Sequence, residues 1–223
     1  MLDWTRGETI ESVLKRIPAA WHAYADSDED AVPFRLRDAS APDIGQIPSA
    51  IQPPIPADVA SMHRVIVGRS FHEPADATPP VFLYRMQDIH WCDPASDLDV
   101  GDMRNTHPDW YDARYLAIGR GIFGDTLAWC ENAPGRSTGS IVLVDHEGGG
   151  PARDPNQPQG IIVLADSLAD WLSRWMAFDF VEYAYVSGEL KVLPPQQQRA
   201  FLIDHLRLNP NLAWASRRLQ ALL

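Results

Sequence analysis

Between residues 113 and 165, four short apolar runs alternate with glycine-rich turns. The runs are ARYLAI (113–118), DTLAWC (125–130), SIVLVD (140–145) and GIIVLA (160–165), and the turns lie at 119–124, 134–139 and 147–151. A parallel crossover needs about a dozen residues or more, whereas antiparallel strands close through short turns. The run therefore predicts an antiparallel meander, and VFLYRM (81–86) reads as a further strand of the same sheet. No other feature constrains the fold as strongly.

Helical periodicity flanks the meander on both sides. Ile10, Val13, Leu14, Ile17, Trp21 and Tyr24 recur at spacings of three and four over 8–25, with Thr9 as a cap. Pro18 falls inside this pattern and is expected to kink or split it. Prolines are dense from 33 to 56 and exclude long elements there, leaving room for a short helix at 42–51. A second helix fits 56–67, with Val59, Met62, Val65 and Ile66 as its apolar stripe and Gly68 as its stop. Helical spacing returns at 167–183, opened by a capping box of Ser167 and Asp170. Pro194-Pro195 opens a tail helix, and Asn209-Pro210 separates it from a last one at 211–222.

The order is helices, strands, then helices, which predicts an α+β fold: a mostly antiparallel twisted sheet flanked by helices. The helices at 56–67 and 167–178 should pack on one side of it and bury Leu172, Trp175 and Met176. The expected organisation is an N-terminal helical extension (1–40), an α+β domain (41–180) and a C-terminal helical extension (181–223).

Charge narrows the partners. Among 223 residues, 30 are acidic and 19 basic, giving −11 at neutral pH. Such a surface repels phosphate backbones and anionic lipid, so neither nucleic acid nor a membrane is an expected partner. The opening MLDWTRGETIESVLKRIP lacks a basic stretch followed by an apolar core, so a standard signal peptide is not expected. Cys92 and Cys130 lie far apart with no C-x-x-C, which reads as two buried thiols in a reducing cytoplasm.

The acid is concentrated at 88–112, where Asp88, Asp93, Asp97, Asp99, Asp102, Asp109 and Asp112 face a lone Arg104. Without periodicity this reads as a long surface loop. It is either a solvated face or the docking face of a basic partner, with Trp91 and Trp110 as aromatic anchors.

Gly119-Arg120-Gly121-Ile122-Phe123-Gly124 matches G-x-G-x-x-G, and Asp145 ends a strand 21 residues after its last glycine. A dinucleotide site would use these residues, provided a helix opened at Gly124. DTLAWC instead alternates like a strand, so a hairpin turn is the favoured reading and a nucleotide-binding enzyme the alternative. The seven histidines are dispersed, and His146-Glu147 and His72-Glu73 lack metal-ligand spacing. Neither G-x-S-x-G nor a base paired with a cysteine is visible. No catalytic residue, cofactor or metal is therefore assigned.

Three stretches in order resemble the SUKH superfamily, which includes the fungal cell-wall-assembly regulator and many bacterial immunity proteins. They are APDIGQIPSAIQPPIPADVASMHRVIVG (41–68), VFLYRMQDIHW (81–91), and YLAIGRGIFGDTLAWCENAPGRSTGSIVLVDHEG continuing to IIVLADSLADWLSRWM. Ile55-Pro56 stands where the family has Leu-Pro. The resemblance implies binding rather than catalysis: a cytoplasmic immunity protein that docks on a cognate toxin, such as a basic nuclease or other effector, and neutralises it. Trp91, Asp93, Asp97, Asp99, Asp102, Asp109 and Trp110 are then the candidate binding residues.

Overall fold

In a computed structural model the apolar runs become strands that pair in chain order. The structure describes residues 7–25, 34–37, 54–69, 81–92, 114–121, 125–133, 135–144, 161–177, 195–210 and 212–222. The elements are α1 (Ile10–Ala25), β1 (Arg35–Leu36), α2 (Ala57–Met62), β2 (Ile66–Val67), β3 (Val81–Leu83), β4 (His90–Trp91), β5 (Tyr115–Gly121), β6 (Thr126–Cys130), β7 (Ser140–Val144), β8 (Ile161–Ala165), α3 (Leu168–Ala177), α4 (Pro195–Leu208) and α5 (Ala213–Gln220).

The main sheet runs β3-β5-β6-β7-β8, with β4 also pairing β5, and every pair is antiparallel. The fold is α+β, as the meander predicts. Its strands read as continuous apolar runs because both faces are buried. Leu127, Trp129, Ile141, Leu143, Ile162 and Leu164 belong to the cluster that meets the helices. Ala128, Cys130, Val142, Ile161 and Val163 form a second cluster with Tyr115, Ala133 and Leu208. A strand covered on one face alone would alternate instead.

The helical side is dominated by α3. Ser167 Oγ accepts from Asp170 N at 3.1 Å. The other half of the expected capping box is replaced, since Asp170 Oδ1 accepts from Gly7 N at 3.0 Å and ties the N-terminal stretch to α3. Leu172, Trp175 and Met176 are buried, and Trp171 and Trp175 stack with centroids 4.7 Å apart. Val13, Leu14 and Ile17 of α1 share this core with Val59 and Met62 of α2, Phe201 and Leu202 of α4, and Ala215 of α5. The helices at both termini thus contribute to the same hydrophobic cluster as the sheet.

Three local expectations are corrected. Helix α1 runs through Pro18 as one element. Proline removes one backbone hydrogen bond, but Val13, Leu14, Ile17 and Ala20 are buried around it and hold the flanking turns in place. Helix α2 ends at Met62, and Ile66, expected on its stripe, instead pairs with Leu36 in the small β1–β2 sheet. The β-branched run Val65-Ile66-Val67 fits an extended strand better than a helix. Gly68 is therefore no helix stop. Its Cα faces the backbone of Tyr84, where a side chain would overlap the carbonyl oxygen, and Arg69 bridges to Tyr84 in parallel. The helix expected at 42–51 lies outside the described residues.

Candidate interaction surface

The 88–112 stretch begins inside the sheet rather than as a loop. His90 and Trp91 pair with Ala117 and Leu116, and Cys92 N donates to Tyr115 O at 2.8 Å. Of the candidate binding residues, Trp91 alone lies among the described residues. Asp93, Asp97, Asp99, Asp102, Asp109 and Trp110 lie outside them, as does Asp145.

Trp91 is half-buried and is built into its surroundings. Its ring meets Trp129 edge-on at 6.2 Å, and the Arg114 guanidinium lies 5.1 Å from its centroid. That geometry gives Arg114 a cation–π contact. Arg114 Nη1 in turn sits 2.7 Å from Glu131 Oε2, and Glu131 N donates to Arg114 O. Arg114 takes a φ of 50°, a region that non-glycine residues seldom visit. Sequence patterning carries no signal for this conformation, so Arg114 and Glu131 escape a reading from sequence alone.

Trp129 anchors the cluster from below. Its Nε1 donates to Asp58 Oδ2 at 3.2 Å, while Asp58 Oδ1 accepts from Val59 N at the start of α2. A Cβ built on Gly139, at φ 98°, would lie 3.4 Å from the same indole nitrogen, so a turn, a strand and a helix converge on one ring. The described rim is thus an aromatic pair overlaid by a mutually neutralising Arg–Glu pair. It offers a contact surface where the chain enters the acidic stretch.

The first two glycines of the motif lie in a strand rather than in a phosphate-binding turn. Gly119 and Gly121 both lie within β5, opposite Leu83 and Val81 of β3 respectively in the extended ladder. Gly119 lets β5 approach β3, since a Cβ there would come within 2.5 Å of Phe82 O. Past the motif the chain returns as β6, antiparallel to β5, with Arg120 opposite Thr126. No helix opens at 126–130, where a dinucleotide fold needs one.

Burial governs the titratable groups. The thiol of Cys130 is pushed well above its ordinary range by desolvation, so it stays protonated and weakly nucleophilic. Cys92 is only half-buried, a correction to the pairing of two buried thiols, because it follows the short strand β4. Neither cysteine is in a disulfide, and the register sets Tyr115 on the strand between them. His63 is lowered to about 4 by burial and the nearby Arg37, and His205 to about 3 by burial and Arg174. Among the described residues, no group of three or more His, Cys, Asp or Glu is placed to hold a metal ion, and no helix is long and apolar enough to cross a membrane.

No protein-family model matches the chain, and no curated protein or solved structure matches it either.

Proposed function

We propose that this protein is a SUKH-like immunity protein that neutralises a cognate bacterial toxin in the cytoplasm by docking on it. The observation that carries this reading is the antiparallel return of β6 on β5 across the glycine motif. That return favours a binding scaffold over a nucleotide-binding enzyme. The charge of −11 supports a basic partner, because opposite charge speeds association and selects the partner. The acidic stretch from Asp93 to Asp109, entered through the Trp91 rim, is the proposed docking face.

The test is binding to any toxin encoded beside this gene. Reversing Asp97, Asp99 and Asp102 to Lys should slow association and flatten its salt dependence. Trp110→Ala should speed dissociation about tenfold or more, as loss of an anchor worth ~2 kcal/mol would. A triple reversal that folds normally and binds with unchanged kinetics removes the stretch from the interface. Saturable binding of NAD or ATP would favour the enzyme reading instead.

A further inference from the structure

Two arginines flank the core-facing residue of β1. Leu36 packs against the main core and its partner Ile66 is buried, so Arg35 and Arg37 on either side of Leu36 face away from that core. Arg35 pairs with Val67, and Arg37 N donates to Val65 O at 2.8 Å, which carries the ladder one residue past the strand. Arg64 lies beside Val65 in the turn after α2. Arg35 and Arg64 are exposed and Arg37 is half-buried. Arg37 Nε donates to His63 O at 3.0 Å, a bond that uses neither terminal nitrogen of its guanidinium. Several arginines elsewhere meet acids, as in Arg16–Glu8 and Arg114–Glu131 at 2.7 Å and Arg136–Asp166 at 3.3 Å. Among the described residues, none of Arg35, Arg37 and Arg64 forms an ion pair. Three guanidinium groups are thus left without a counter-charge in a chain of 30 acidic and 19 basic residues.

We propose that the outer face of β1, with Arg35, Arg37 and Arg64, docks an extended acidic segment of a partner protein that carries carboxylates at alternate positions. Residues two apart on a strand stand about 7 Å apart on the same side. An acid-x-acid strand laid over β1 therefore sets one carboxylate at Arg35 and the next at Arg37. The planar fork of each guanidinium suits a carboxylate with two parallel hydrogen bonds. Arg64 adds charge at the Arg37 end. The net charge of −11 opposes a long polyphosphate or an anionic lipid sheet, each of which extends far beyond three arginines. A short run of carboxylates meets the local charge instead. This face is opposite in sign to the acidic stretch proposed above for toxin docking, so either can hold without the other.

The probe is a fluorescent peptide of alternating Asp and Thr, titrated with the full chain and read by anisotropy. Saturable binding that weakens as salt rises is expected. Arg35→Glu with Arg37→Glu should lower the affinity about tenfold or more, since like charges then face each other. Arg37 also holds His63 O, so Arg35→Glu with Arg64→Glu serves as the second variant. Both of its positions are exposed, so its thermal midpoint should stay near that of the wild type while binding still falls about tenfold. Arg217→Glu with Arg218→Glu makes the same change of charge on α5 and should leave binding within about twofold. A peptide of the same composition with its acids in one block should bind more weakly. Absence of saturable binding by the wild type overturns the proposal, and so does an equal loss from the α5 variant. Binding of the block peptide, of a single-stranded oligonucleotide or of anionic vesicles as tightly as the alternating peptide overturns it too.

Discussion

His63 and His205 are held neutral by their surroundings, and the consequence is a stability that depends on acid. In the unfolded chain both rings protonate near their ordinary value of about 6.5. In the fold, burial lowers them to about 4 and about 3 respectively. Above pH 6.5 both states carry neutral rings, and stability is present in full. As pH falls from there toward 4, the unfolded chain takes up protons that the folded chain refuses. Each ring then removes up to about 1.4 kcal/mol per pH unit. The urea midpoint should therefore drop between pH 6.5 and 5, above the range where carboxylates titrate. His63→Gln should flatten that limb by roughly half. A midpoint independent of pH over this window would show that the rings are accessible to protons.

At the scale of elements, glycines mark where backbones must touch. Gly68 brings the segment after β2 against Tyr84, with Arg69 N donating to Leu83 O at 2.7 Å and Arg85 N to Arg69 O at 3.1 Å. The obstacle to a side chain there is backbone, which cannot rotate away. Gly68→Ala should part this bridge and cost more than about 2 kcal/mol, read as a lower thermal midpoint. Gly135→Ala faces open space but takes a φ of 66°, so it should cost only about 1 kcal/mol. These contrasts show what the sequence discloses. Period and turn spacing made the meander, α3 and the break at Asn209-Pro210 legible, because each is a local pattern. The switch from α2 to β2 was not, since Val65 and Ile66 satisfy a helical stripe as readily as a strand until β1 pairs with them. The Trp91 rim was half legible: the aromatics announce themselves, whereas Arg114 and Glu131 meet them only through the pairing of β4 and β6 with β5.

Across the whole molecule, α4 joins the body through alternating charges rather than through apolar contact alone. Arg174 of α3 lies 2.6 Å from Asp204 of α4, with both side chains almost fully buried. Asp204 also accepts from Arg207 at 3.0 Å, Arg207 reaches Asp166 at 2.6 Å, and Arg136 pairs with Asp166 at 3.3 Å. Arg136 also donates to the carbonyl of Leu208. Arg207 of the tail is thus held by Asp204 of its own helix and by Asp166 of the domain. A buried pair of this kind is weak grounds for net stability, because desolvation offsets the attraction, yet breaking it from one side is costly. Asp204→Ala should therefore destabilise the protein by about 3–5 kcal/mol, leaving the Arg174 charge buried without that counter-charge. Asp204→Leu combined with Arg174→Met should cost less than the sum of the two single changes, since the double variant strands no charge. Hydrogen exchange gives the location. If the network is what seats α4, Asp204→Ala should raise exchange in α4 and at β8 before it does so in β5 and β6. Uniform acceleration across the sheet would instead make the pair part of the core's general packing.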